Sequence, residues 1–536
     1  MDIKLFATTF LGLAGMLPAQ NIFNGNGVPS AYIVNSPAVV GGSLEFELGS
    51  PTAPGGLAVL SLSGGVGPTF APAIGLVGID VLNPFYIPQL FFLDQNGDAS
   101  LTIPLPPGVG NAAQAPFFAN ALAIEAGLTF SITKTVRIEW ADPDAWEQVG
   151  FMSTPRQLHT ATALGSGPRD NYSQVLITGG ATGSIIIPSP MATTEMYDLL
   201  NRSVTPLPNL SLPRAGHQAL RLEDGRILVT GGVTTGGVVT ASCEVFNPDL
   251  LLFETSPAMS SPRAGHTLTL LNDGRVLATG GVSDWQNAAV NFIGVLNTAQ
   301  ATAEIFDPQT NTWSALPNMA AKRFGHSATK MFDGRVAVVS GIRGGSTGSN
   351  PWGSSQGGQV PVYTGSVELF DPTTDTFVPA QSLPGFLIPA RGFHGASVLA
   401  GGSLLITGGF IAGGQNGEAI AASGAALWNG FDWTVAPALP GTAALHTQVP
   451  FRGGALVQGG FTGDLLELVP SGNNVMHMGT TVSSLAPLGV GGPGFVEQPR
   501  AGHSCTPLYD GTFLVYGGGV WPATLSDGWV YTPQQQ

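Results

Sequence analysis

Seven of the eight histidines mark one position of an internal repeat: His159, His217, His266, His326, His394, His446 and His503. Each is followed thirteen or fourteen residues later, twenty in the first unit, by a glycine pair. The pairs are Gly179-Gly180, Gly231-Gly232, Gly280-Gly281, Gly408-Gly409, Gly459-Gly460 and Gly517-Gly518, with Ser340-Gly341 in the fourth unit. Self-similarity at a fixed period means a repeat architecture, in which a unit buries its apolar face only against its neighbours. It also governs how each histidine is read. A residue type that recurs once per unit serves the unit rather than one active site.

The third unit is the clearest. It opens on Pro262-Arg263-Ala264-Gly265-His266 and continues through an apolar strand, the turn Asn272-Asp273-Gly274-Arg275 and a second strand ending in Gly280-Gly281. A variable segment follows, then a third strand with Glu304-Ile305-Phe306-Asp307-Pro308 and a fourth from Thr312-Trp313. Asp-Gly favours a hairpin because both positions tolerate positive φ. One unit is therefore four short strands in an antiparallel meander. Composition agrees: 75 glycines, 42 prolines and only 10 % charged residues fit many short strands joined by tight turns. The net charge of −15 disfavours a phosphate-backbone partner and no basic stripe breaks the pattern, so no nucleic-acid binding is expected.

The unit resembles the kelch repeat, through the apolar run ending in Gly-Gly and the spaced aromatics such as Phe306 and Trp313. The Arg-Ala-Gly-His and Asp-Gly-Arg elements resemble the kelch units of the galactose oxidase family. The resemblance implies an all-β fold with a seven-bladed kelch-type β-propeller over residues 144–533. The last unit stops after its third strand, at Trp529-Val530-Tyr531, and the missing fourth strand is expected at 144–150, closing the ring. Closure removes an unpaired edge.

Residues 21–140 lack the repeat. Strand-like runs such as SLEFELG and LAVLSLSG predict a small β-sandwich domain ahead of the propeller. Asn96-Gly97 reads as a hairpin turn. Residues 1–20 read as a signal peptide: Lys4, an apolar stretch from Leu5 to Leu17, then Pro18 and Ala19. This predicts a secreted or cell-envelope protein with no membrane span in the mature chain. Cys243 and Cys505 fall in blades that are not neighbours, which predicts separate buried thiols.

The Arg-x-x-His ladder is read as structural, since seven copies around a ring cannot meet at one metal. The third-strand glutamates Glu195, Glu244, Glu304 and Glu368 are expected to pair with the ladder arginines. His477 lies outside the ladder and reads as a loop histidine in an insertion. Asp94-Gln95-Asn96-Gly97-Asp98 fails the calcium-loop pattern, with Ala99 and Leu105 where glycine and glutamate belong. The resemblance raises a rival, a copper radical oxidase of galactose oxidase type, or a sugar mutarotase. The chain has no Tyr-His pair of the kind that oxidase family uses. No catalytic residue, metal ligand or cofactor is assigned.

Alternation in a meander sorts the connections. The Asp-Gly and Asp-Pro turns fall on one face, the segments after Gly-Gly and the Pro-Arg-x-x-His connections on the other. The second face carries the length variation, at 282–301, 342–366 and 410–424, read as long loops without secondary structure of their own. Its candidate ligand-binding residues are Asp284, Trp285, Arg343, Trp352, Tyr363 and Trp521. Aromatic rings beside polar groups suit a protein or glycan partner. The expected function is an exported, non-catalytic kelch-repeat protein that binds such a partner through its loop face.

Overall fold

A computed structural model describes the strands between residues 32 and 141 by their backbone, and residues 145–532 apart from 165–173, 200–201, 348–358, 386, 414–417, 452, 464–468, 486–498, 509–511 and 521–522. Residues 145–532 form a β-propeller. Among the described residues, seven four-stranded antiparallel sheets follow one another along the chain. The first strand of each touches the first strand of the next, and the strand at Thr160–Ala163 touches that at Ser504–Pro507, so the inner strands complete a circle.

Blade 3 shows how the sequence builds a sheet. Its strands are Thr267–Leu270, Val276–Thr279, Ala303–Asp307 and Thr312–Ala315. The Asp273-Gly274 turn sets the first register, Leu270 opposite Val276, with Gly274 at φ +82°. The second strand is buried throughout, packed between both neighbouring blades. Phe306 lies opposite Trp313, their rings 5.1 Å apart, and the same cross-strand aromatic pair recurs as Phe246–Phe253, Phe370–Phe377 and Trp428–Trp433. These pairs tie the outer strand to its sheet.

Blade 7 takes its outer strand from far upstream. Ala145–Val149 pairs antiparallel with Gly528–Thr532, Trp146 opposite Tyr531 with ring centroids 4.8 Å apart. The two ends of the propeller thus share one sheet, and the upstream strand covers what would otherwise be the open outer edge of Gly528–Thr532.

Upstream, Tyr32–Asn35, Ser43–Gly49 and Asp98–Pro104 form one sheet. Leu57–Ser63, Ile87–Phe92, Phe117–Ile124, Phe130–Ile132 and Val136–Ile138 form a second. The strands flanking Asn96-Gly97 do not pair with each other. Ile87–Phe92 pairs with Leu57–Ser63, whereas Asp98–Pro104 pairs with Ser43–Gly49. The two strands therefore belong to different sheets and the expected hairpin between them is not formed; Asn96 and Gly97 themselves lie outside the described residues. The expected signal peptide, residues 1–20, lies outside the described residues.

Two further expectations are corrected. His477 is not a loop histidine. It ends the third strand of blade 6, Asn474–His477, and is fully buried, with Nε2 2.8 Å from the Pro437 carbonyl and Nδ1 accepting from Gly479 N–H. The NVMH run lacks the acid and aromatic of the other third strands, which hid it. The segments after Gly-Gly are also not structureless. They hold the hairpin Ile342–Thr347 with Gln359–Tyr363, the hairpin Phe410–Gly413 with Glu418–Ala421, and the helix Phe292–Asn297. No helix among the described residues is long and apolar enough to cross a membrane.

Candidate functional site

The ladder histidines are staples between blades. Each Nε2 reaches a hydroxyl on the preceding blade: His217 to Thr160 and Thr178 (3.0 and 3.1 Å), His266 to Thr230 (2.7 Å), His326 to Thr279 (2.9 Å). His394 reaches Ser327, His446 Thr407, His503 Thr447, and His159 closes the circle on Ser504. The glycine pair makes the approach possible. A Cβ on Gly280 would stand 2.5 Å from the Arg323 carbonyl and 2.6 Å from the His326 ring, and one on Gly281 2.8 Å from the Ala264 carbonyl. Both glycines also have positive φ, which only glycine adopts cheaply. Ser340 replaces a glycine in blade 4, and its hydroxyl lies 2.7 Å from both the Thr364 and Arg391 carbonyls, where it donates to one of them.

Burial holds every ladder histidine neutral. Its pKa falls to about 3 in His159 and His266, through desolvation first and the neighbouring arginine second, and to about 4 in His446. His217, His326, His394 and His503 are shifted well below the usual range for the same reasons. A neutral, hydrogen-bonded, buried imidazole is no proton shuttle at pH 7.

The arginines lock each blade internally. Arg263 Nη1 donates to the Gly280 and Thr302 carbonyls and Nη2 to Glu304 Oε1 at 2.9 Å. Arg214–Glu244 (2.8 Å) and Arg323–Glu368 (2.7 Å) repeat the arrangement, and Arg156–Glu195 is looser at 3.4 Å. The expected arginine–glutamate contact is thus present in blades 1 to 4. In blades 2 to 4 the other glutamate oxygen accepts a backbone N–H from the incoming connection, as Glu304 does from Ser260.

With ladder and glutamates accounted for, the chemistry left on the loop face is apolar. The residue before each histidine is Leu158, Gly216, Gly265, Gly325, Phe393, Leu445 or Gly502, and all seven lie at φ between +54° and +64°. That geometry links neighbours around the axis: Gly216 N–H donates to the Leu158 carbonyl, Gly265 to Gly216, Phe393 to Gly325, Leu445 to Phe393 and Leu158 to Gly502. Above this ring lies an axial cavity of about 420 Å³. Its wall is a run of aromatic contacts, Trp285–Phe324, Phe324–Phe393 and Phe393–Phe410, with centroids 6.0, 4.9 and 6.4 Å apart. Gly265 and Gly325 leave room for these rings: a Cβ on either would strike Phe324 or Phe393.

Of the six expected ligand residues, Trp285 lines this cavity, its indole N–H bonded to the Ile186 carbonyl at 2.9 Å. Asp284 is exposed beside it and accepts from Gln286 N–H. Arg343 is exposed on the blade 4 hairpin away from the wall. Tyr363 packs into the apolar layer beneath, its hydroxyl pKa raised by burial. Trp352 and Trp521 lie outside the described residues. Sequence reasoning missed Phe324, Phe393, Phe410, Leu158 and Leu445. A signal was present: four units replace Ala-Gly between the first ladder position and the histidine, as Gln-Leu, Phe-Gly, Gly-Phe and Ala-Leu.

The opposite face is built from the Asp-Gly turns. Asp273 accepts from its own Arg275, and Arg275 reaches across to Asp375 at 2.9 Å. Among the described residues no group of three or more His, Cys, Asp or Glu side chains could hold a metal ion. Cys243 and Cys505 are free thiols, their pKa pushed up to about 12 mainly by burial.

Comparison with known proteins places the architecture. Residues 262–320, most of blade 3 and the entry to blade 4, match the Kelch motif. The structure of YjhT is similar, with 16 % identity and a TM-score of 0.45 over 62 % of this chain and 98 % of that one. A fungal alcohol oxidase of the AA5 family, solved with copper, is similar at 15 % identity and a TM-score of 0.50, over 72 % of this chain and 76 % of its own. No curated protein matches the sequence.

Proposed function

We propose that this chain, a kelch-repeat β-propeller, is an exported binding protein whose loop face takes an apolar or aromatic side chain of a protein partner into the axial cavity. The observation that carries the reading is the aromatic wall from Trp285 to Phe410 around about 420 Å³. A sugar needs many convergent hydrogen bonds. Here the indole N–H is already committed to Ile186 and each ladder imidazole to a hydroxyl. An apolar pocket of this size suits one or two anchor side chains, which carry most of the energy of a typical protein contact. Kelch repeats are commonly protein-interaction surfaces, which agrees with this choice. Export rests on the signal-peptide features of residues 1–20.

The oxidase reading asks for a copper site, and the residues present do not fit one. Every ladder histidine spends its Nε2 on a threonine or serine of the preceding blade, and no cluster of potential ligands forms among the described residues.

The test is binding to peptide and glycan arrays by the full chain and by Trp285→Ala. Peptides with aromatic or aliphatic anchors are expected to bind, and the variant to lose roughly tenfold or more in affinity. Binding confined to glycans, or unchanged by the substitution, would refute the proposal. So would copper uptake with peroxide release from primary alcohols.

A further inference from the structure

The Nη2 group of a ladder arginine meets an acid or hydroxyl in every blade that has the arginine, except one. In blade 2 Arg214 Nη2 donates to Ser242 Oγ (3.1 Å) and Glu244 (2.8 Å), and in blade 4 Arg323 Nη2 donates to Ser366 Oγ (2.8 Å) and Glu368 (2.7 Å). Blade 3 uses Glu304 and blade 1 Glu195. Blade 7 supplies Asp527 from the serine position, at 2.8 Å from Arg500. The sheet registers place Gly424 and Ala426 of blade 5 at these same two positions: Ile406 opposes Ala426 as Val229 opposes Glu244 and Val338 opposes Glu368.

Arg391 is nonetheless buried as deeply as its counterparts, 1 % exposed. Its Nη1 donates to the Gly408 and Gly424 carbonyls, both at 2.8 Å, and its Nε to the Pro389 carbonyl at 3.1 Å. Its Nη2 has no acceptor among the described residues. There is space beside it: a Cβ on Gly424 would lie 3.7 Å from Nη2 and within 4 Å of no other atom outside its chain neighbours. A buried cation without a counter-charge is strongly unfavourable, and ions are then recruited from solvent where room allows.

We propose that a small monovalent inorganic anion of chloride size binds Arg391 Nη2 over Gly424, taking the place of the carboxylates in blades 1 to 4 and 7. Burial lowers the guanidinium pKa to about 10, in the sense that favours recruiting an anion. The site is independent of the axial cavity.

The experiment uses the full chain. Its Tm is followed in a chloride series at fixed ionic strength, balanced with gluconate, a much larger anion. The wild type is expected to gain about 1–2 °C for each tenfold rise in chloride above the dissociation constant. Ala426→Glu restores the acid of blades 2 to 4, and Gly424→Asp that of blade 7. Each is expected to flatten the chloride response, and either suffices if the other fails to fold. Wild-type crystals soaked in bromide should show an anomalous peak at hydrogen-bond distance from Arg391 Nη2. A chloride response equal in wild type and variants, or a bromide map with only water at Nη2, overturns the proposal.

Discussion

Blades 3 and 6 assemble on the same plan with opposite interiors. Blade 3 buries Arg263 against Glu304, both essentially inaccessible. Blade 6 has Ala443 at the arginine position and Val475 at the glutamate position, packed with Leu439 and Val457. Yet both keep the glycine pair at positive φ, the histidine and its hydroxyl partner: His266 with Thr230, His446 with Thr407. The difference separates what the ring requires from what a single blade can exchange. The close approach between blades is required. The internal ion pair is exchangeable, provided both partners go together, because replacing a buried pair by apolar residues is often neutral while removing one partner is not.

The largest effect should come from breaking what the two blades share. Gly280→Val and Gly459→Val each add bulk at φ near +60°, where a Cβ already meets the next unit's histidine ring at 2.6 and 2.5 Å. Strain and overlap together should cost about 5 kcal/mol or more, removing folded protein in both variants equally. Circular dichroism and soluble yield measure it. A tolerated valine in blade 6 alone would show that the degenerate blade has also relaxed its contact with its neighbour.

The second effect should separate the blades. Glu304→Ala leaves Arg263 buried without its acid and the Ser260 N–H without its acceptor, a loss of about 3–5 kcal/mol in urea unfolding. The double change Arg263→Ala with Glu304→Val copies blade 6 and should recover at least about 1–2 kcal/mol of that loss. Strict additivity would mean that the pair contributes no coupling and that the exchange seen in blade 6 needs another explanation.

Much of this arrangement could be read from the chain before any coordinates. The spacing of His266 from Gly280-Gly281, the Asp273-Gly274 turn and the Phe306–Trp313 pair are local signals repeated often enough to average out noise. The arginine–glutamate contact followed from the same repetition. Legibility failed where repetition failed. The third strand of blade 6 carries neither acid nor aromatic, so His477 was placed in a loop. The pairing of Asp98–Pro104 with Ser43–Gly49 rather than with Ile87–Phe92 is a long-range choice that an Asn-Gly dipeptide cannot announce. The aromatic wall was hidden for a different reason. Phe324, Phe393 and Phe410 come from separate blades and meet only because the ring closes.

The smallest expected difference between the blades is in their response to acid. Folding holds the His266 pKa at about 3 and that of His446 at about 4, against roughly 6.5 when unfolded. A histidine whose folded pKa is depressed contributes stability that is complete above pH 6.5 and is lost as pH falls toward the folded value, because the unfolded chain binds the extra proton. Each such ring should add about 1.4 kcal/mol per pH unit to the slope of stability between pH 6.5 and the folded pKa. His266→Gln and His446→Gln should therefore each remove about one proton from the uptake on unfolding, measured by urea titrations between pH 7 and pH 5. The two slopes should agree within error, since both folded values lie far below that window. The extra lowering that Arg263 imposes on His266 acts only below pH 4. A slope unchanged by either substitution would mean that the ring titrates alike in both states, and that the staple is not held by a neutral imidazole.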